Sequence, residues 1–171
     1  PSDQIVGQMY KGFGPALTAI SRPETVKIKL PYKNTYWGMG LNDTVTNVDE
    51  ANALKFQKIP GLCGPDTVSF RSVDNPNNYY KYAGGQDPYF IWKENTNMTD
   101  PYNRASACFK PIKNNCKNSN AVAYQRMAYD PMDLEFRTQH KVVNSRHPLY
   151  METTLPSELD NTTQCFEEIP M

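Results

Sequence analysis

Apolar and polar residues alternate along this chain in short bursts that share one form. In TVKIKL (Thr25 to Leu30) the pattern puts Val26, Ile28 and Leu30 on one side, and in TVSFRS and AVAYQR it does the same for Val68 with Phe70 and Val122 with Tyr124. Alternation over four to eight positions marks a half-buried strand. Each burst runs into LPYKN, DNPNN or YDPMD. These are turn sequences, because Pro presets φ while Asn and Asp bond to nearby backbone or tolerate a left-handed conformation. A second strand follows each turn, closing the segments TVKIKLPYKNTYWGM, TVSFRSVDNPNNYYKY and AVAYQRMAYDPMDLEF. A third is expected at Val45 to Val48, Tyr89 to Trp92 and Leu149 to Thr153, and a fourth at FQKIP, FKPI and FEEIP. No run has the length and period of a long amphipathic helix.

The fourth strands reveal a repeat. Phe56, Phe109 and Phe166 each stand three residues before an Ile, in ANALKFQKIPG, RASACFKPIKN and NTTQCFEEIPM. Self-similarity at a long period signals a repeat architecture. A four-stranded unit cannot bury its apolar face alone, so three of them must close around a shared barrel, which also removes most exposed strand edges. The expected fold is therefore all-β, a β-trefoil of three pseudo-symmetric four-stranded repeats, at about 25–62, 63–115 and 116–171. Phe56, Phe109 and Phe166 are expected to meet Ile28, Phe70 and Tyr124 inside the barrel. Residues 1–24 have no counterpart in the other copies and read as an extended arm or an edge strand.

Composition narrows the function classes. A chain of 171 residues suits one domain with a full core. Lys plus Arg equals Asp plus Glu at 18 each, which removes the main electrostatic argument for nucleic acid. With 11 Tyr, 7 Phe and 2 Trp in a chain only 39% hydrophobic, much of the core must be aromatic. No apolar run approaches the roughly 18 residues of a membrane span. The chain opens at Pro1 with neither an initiator Met nor a hydrophobic leader, and reads as a mature or trimmed form.

Cysteines and sequons point to secretion. Asn42, Asn97 and Asn161 each open an Asn-x-Thr glycosylation signal without an intervening Pro. Four Cys allow three connectivities, and the repeat selects one. Cys108 and Cys165 immediately precede the Phe of copies two and three, while Cys63 and Cys116 each follow the Phe of the preceding copy by seven residues. The pairing that obeys the symmetry is Cys63 with Cys108 and Cys116 with Cys165. Copy one carries Lys55 instead and has no bridge. Reduced thiols or a metal site are the alternatives, although no CxxC or Cys-His cluster of zinc spacing occurs. Disulfides imply an oxidising, extracellular compartment.

The stretch VSFRSVDNPNNYYKYAGG with the later RASACF resembles the repeat of the C-terminal carbohydrate-binding domain of α-L-arabinofuranosidase B, the AbfB-type β-trefoil. The likeness is strongest in copy two; copies one and three keep the framework and little of the wording. In that family a His ending the second strand and an Asp three residues before the repeated Phe hold arabinofuranose. The corresponding residues here are Met39, Tyr82 and Phe136 for the first position, and Ala53, Ser106 and Thr163 for the second. None keeps the family's group, so the resemblance implies the fold and argues against arabinose binding in the family manner.

No catalytic constellation is visible. His140 and His147 fall in one expected loop, TQHKVVNSRHPLY, and read as solvated. Gly84 and Gly85 read as a tight turn. Lys110, Lys113 and Lys117 could attract sulfated glycans, but three lysines in a polar linker are more simply solvated. The better candidates for ligand contact are aromatic: Tyr36, Trp37, Tyr79, Tyr80, Tyr82 and Trp92, whose alternate members must face outward unless they close the barrel as core. The sequence thus leads to a secreted, non-catalytic, lectin-like glycoprotein without cofactor or metal, with extracellular glycans or matrix proteins as partners. A structural or secretion protein working through protein contacts is a second reading. A Kunitz-type protease inhibitor is a third, although its cysteine placement differs, and an enzyme or small-ligand carrier is the fourth.

Overall fold

The computed structural model describes residues 23–82, 90–94, 99–113, 115–127, 138–141, 149–153 and 159–171. Twelve strands form one sheet. In chain order they are β1 (Glu24–Leu30), β2 (Thr35–Met39), β3 (Val45–Val48), β4 (Phe56–Pro60), β5 (Val68–Ser72), β6 (Asn78–Tyr82), β7 (Phe90–Glu94), β8 (Phe109–Ile112), β9 (Ala121–Arg126), β10 (Thr138–Lys141), β11 (Tyr150–Thr153) and β12 (Phe166–Pro170). Among the described residues a short α-helix, α1 (Pro101–Ser106), precedes β8.

The pairing closes a ring. β1 pairs with β4, β4 with β5, β5 with β8, β8 with β9, β9 with β12, and β12 returns to β1, each antiparallel. The hairpins β2–β3, β6–β7 and β10–β11 hang from β1, β5 and β9 through their first strands. Register repeats along with order. Val26 faces Phe56, Val68 faces Phe109 and Val122 faces Phe166. Likewise Lys29 pairs with Tyr36, Arg71 with Tyr79 and Gln125 with Gln139.

The alternating bursts become strands because their apolar phase has a barrel to fill. Val26, Ile28, Leu30, Trp37, Val45, Phe56, Phe70, Tyr80, Phe109, Tyr124, Leu149 and Phe166 form one buried cluster, as the repeated Phe predicted. Trp37 sits among the rings, stacked on Tyr80 at 4.6 Å between centroids and edge-on to Phe166 at 5.1 Å, Tyr124 at 5.9 Å, Phe70 at 6.1 Å and Phe56 at 6.2 Å. Offset and edge-on pairs suit the aromatic quadrupole. Beside Trp37, Gly38 is a packing requirement: a Cβ there would lie 2.3 Å from Cγ2 of Val48 on the neighbouring strand.

A smaller cluster of Cys116, Ala121, Ala123, Leu159 and Cys165 packs against Ile112 outside the barrel. Cys116 is bonded to Cys165, and Cys63 to Cys108.

Three expectations change. The second strand of the third unit lies at Thr138–Lys141, beyond the DLEF stretch, which falls outside the described residues. His140 consequently belongs to a strand, paired with Met151, and not to a loop. TQHK has no apolar alternation, so pairing with β11, not local pattern, makes it a strand. The third strand of the second unit is Phe90–Glu94, a slight shift. Finally, α1 was not anticipated, since six residues are too few to show a helical period. Residues 1–22, His147, Asn97, Gly84 and Gly85 lie outside the described residues.

Candidate functional site

The hairpins pair with the late residues of β1, β5 and β9 and cover one end of the barrel. The other end opens into a cavity of about 530 Å³. Val68 and Val122, at the starts of β5 and β9, and Pro111 on β8 give it apolar walls, while Asp66, Thr67, Lys113, Ser119 and Asn120 from the β4–β5 and β8–β9 loops form a polar rim. Lys58 of β4 and Glu168 of β12 complete the lining. Both stand two residues beyond the buried Phe of their strand, so pleating turns them to the same inward side.

These two residues meet across β1. Lys58 Nζ donates to Glu168 Oε1 at 2.7 Å, and Glu24 Oε2 lies 3.9 Å from the same ammonium. Glu168 Oε2 accepts from the Tyr124 hydroxyl, which rises from the barrel core. The side chains of Lys58 and Glu168 are 26% and 16% exposed, so the pair is partly shielded yet open to the cavity. A lysine ammonium has three donors and each carboxylate oxygen two acceptor sites. After mutual bonding, both groups keep capacity for a ligand. Burial and the neighbouring Glu168 carboxylate raise the Tyr124 pKa well above 10.0, which keeps the phenol a proton donor to Glu168.

The loops around the mouth are built locally. Gly61 N donates to Thr67 O at 2.8 Å, and Thr67 Oγ1 to Gly64 O at 2.6 Å, tightening the β4–β5 connection. In the β8–β9 connection Asn118 Oδ1 accepts from Asn120 N at 2.9 Å, an Asx turn that sets Ser119 and Asn120 at the rim. Lys113 joins the rim, so of the three lysines singled out in sequence it alone lines the cavity, among the described residues.

The aromatic candidates take different places. Trp37 and Tyr80 have no exposed surface and Tyr36 is 5% exposed. Trp37 and Tyr80 are core rings and Tyr36 is buried outside the barrel cluster, a correction to their reading as ligand contacts, because a ring without a free face cannot stack on a sugar. Tyr36 also donates to Glu50 Oε2 at 3.2 Å. Tyr79 is half-buried. Tyr82 and Trp92 lie on β6 and β7, and their side chains are outside the described residues. Asn42 is exposed in a short turn at φ 55°, and Asn161 is half-buried with its Oδ1 accepting from Lys117 N at 2.6 Å.

The positions inherited from the resemblance also sharpen. Met39 and Tyr82 end β2 and β6, while Phe136 lies outside the described residues. Of the other set, Ser106 is buried and donates to Asn103 O at 2.8 Å, and the buried Thr163 hydroxyl has no partner. The mouth itself was missed in sequence. Its signal was present: aligned on the Phe, FQKIP, FKPIK and FEEIP place Lys58, Pro111 and Glu168 at one inward-phase position where apolar residues belong.

No protein-family model and no curated protein sequence matches the chain. Solved structures do. The BEL β-trefoil superposes with a TM-score of 0.60 at 10% identity, covering 88% of this chain and 95% of that one. A lectin of Polyporus squamosus, bound to a sialylated influenza-receptor epitope, gives 0.60 at 14% identity, over 86% and 49%. A GH54 α-L-arabinofuranosidase gives 0.60 at 18% identity over 87% of this chain, which spans only 31% of that enzyme. A closed six-strand ring with three hairpins, superposing on these proteins over most of its length, has the β-trefoil fold, and the likeness to the arabinofuranosidase is the one that VSFRSVDNPNNYYKY pointed to.

Proposed function

We propose that this chain is a secreted, non-catalytic carbohydrate-binding protein, a lectin-like β-trefoil made of three copies of one four-stranded unit. The observation that carries the reading is the barrel mouth, where apolar walls of Val68, Val122 and Pro111 flank the inward Lys58 and Glu168. Saccharides present weakly apolar ring faces edged with hydroxyls, and a site for them combines such walls with a few fixed donors and acceptors. That trefoils such as the Polyporus squamosus lectin bind glycans lends support at the level of fold. The two disulfides and the exposed Asn42 sequon fit an oxidising, extracellular setting.

A glycan array probed with the intact protein at low and moderate salt tests this. Discrete hits that survive moderate salt are expected; an array blank across plant, microbial and animal glycans refutes the reading. A second reading, action through protein contacts, is favoured by Tyr32 and Leu41, 70% and 85% exposed on the β1–β2 and β2–β3 connections. Concentration-dependent sedimentation would favour it.

A further inference from the structure

We infer that the barrel mouth binds a neutral saccharide through a vicinal diol, one hydroxyl donating to Glu168 and its neighbour accepting from Lys58, and that it discriminates against anionic glycans. This rests on the carbohydrate-binding reading above and assigns it a site and a ligand subclass.

Two charged groups in the mouth are held in place by their neighbours. Glu168 is held on both oxygens, by Lys58 at 2.7 Å and by the Tyr124 hydroxyl, so its carboxylate cannot swing. Lys58 is held in turn between Glu168 and Glu24. A rigid acceptor beside a rigid donor, separated by one hydrogen-bond length, matches adjacent hydroxyls on a sugar ring, each of which both donates and accepts. Preorganisation of this kind lowers the cost of ordering on binding. Val68, Val122 and Pro111 then offer the surface against which the ring lies, and Ser119 and Asn120 reach its remaining hydroxyls from the rim.

Charge decides between neutral and anionic ligands. The lining carries Lys58 and Lys113 against Asp66 and Glu168, and Glu24 adds a third carboxylate beside Lys58. The ammonium deepest in the mouth is thus already neutralised by two carboxylates. A sulfate or carboxylate entering there would meet Glu168 and Glu24 as well as Lys58, and like charge at close range in a shielded site is unfavourable. Lys113 is exposed at the rim, where attraction is weak and screened by salt.

The test is ligand-observed NMR on the intact, oxidised protein, with methyl glycosides of mannose, galactose, glucose and N-acetylglucosamine as neutral probes, and sialyllactose and a heparin hexasaccharide as anionic ones. At least one neutral glycoside is expected to bind saturably, and Glu168→Gln to weaken it about tenfold or more, as loss of a charged hydrogen bond does. Ser119→Trp, an exposed rim change that closes the mouth without touching the core, is expected to do the same. It carries the test alone if Glu168→Gln fails to fold. Tyr32→Ser, on the exposed β1–β2 turn, should leave binding unchanged. Neutral binding that neither mouth variant alters places the sugar elsewhere and overturns the site, while the carbohydrate reading stands. Anionic probes that bind and are lost in Ser119→Trp overturn the diol argument. Failure of every sugar to bind overturns both.

Discussion

Lys58 and Glu168 occupy inward strand positions that alternation reserves for apolar side chains, and each is tolerated because the other is there. Removing one partner leaves the second shielded and short of a bond, whereas removing both leaves no shielded unpaired charge and costs only the bond from the Tyr124 hydroxyl to Glu168. Lys58→Met is therefore expected to cost about 1–3 kcal/mol in urea unfolding, and the double change Lys58→Met with Glu168→Leu less than the two single losses added. Strict additivity would mean that the pair is not coupled. A second residue-scale effect concerns the buried phenols. Burial raises the pKa values of Tyr80 and Tyr124 well above 10.0. The folded state thus holds protons that the unfolded chain releases above about pH 10, and stability, full below that value, falls as pH rises through it. Each such tyrosine steepens the decline by about 1.4 kcal/mol per pH unit. Denaturation midpoints measured upward from pH 9 are expected to drop, and less steeply in Tyr124→Phe; a flat midpoint would show that these phenols titrate normally.

At the scale of elements, the hairpins are what close the lower barrel, and their core rings matter more than their number. Trp37 on β2 touches rings from five other strands, β4, β5, β6, β9 and β12. Trp37→Ala should cost about 3–5 kcal/mol, in contrast to Tyr79→Ala on the half-buried neighbour in β6, which should cost about 1 kcal/mol. Comparable losses would mean that the Trp37 cluster is not the centre of the fold. The same elements show what could be read in advance. TVKIKL, TVSFRS and AVAYQR state their strand and its inward face outright, because Val26, Ile28 and Leu30, Phe70, and Tyr124 fall on the alternating phase that the barrel buries. Phe56, Phe109 and Phe166 state the closure. TQHK could not be read, since its strand exists through pairing with β11 and carries no apolar phase of its own. Trp37 and Tyr80 were legible as aromatic strand residues but not as core, because adjacent rings such as Tyr36–Trp37 and Tyr79–Tyr80 leave the inward member undecided until the register is known. Lys58 and Glu168 were legible only after the three Phe endings are superposed: a charge at an inward phase is visible as an exception to a pattern, never as a motif.

The whole molecule is stapled unevenly. Cys63–Cys108 and Cys116–Cys165 each close a long stretch, with sequence separations of 45 and 49, and both lie in the part of the chain after β4. The first unit has Lys55 where the others have Cys108 and Cys165, and is held by the β1–β12 and β4–β5 ladders together with the Lys58–Glu168 pair. Chain entropy assigns about 4 kcal/mol to a closed loop of this length. Two such bridges are comparable with the roughly 5–15 kcal/mol of a whole domain. Replacing Cys63 and Cys108 together by Ala is therefore expected to lower the denaturation midpoint clearly while keeping the fold. Full reduction is expected to abolish the near-ultraviolet circular dichroism that the packed Trp37 and Tyr80 rings give the native state. Because Lys58 and Glu168 lie 110 residues apart in the chain and meet only when the barrel closes, sugar binding should disappear along with that signal, at the same reductant concentration. Binding that outlasts the aromatic signal would mean that the mouth does not depend on the closed barrel, and that β1, β4 and β12 hold it by themselves.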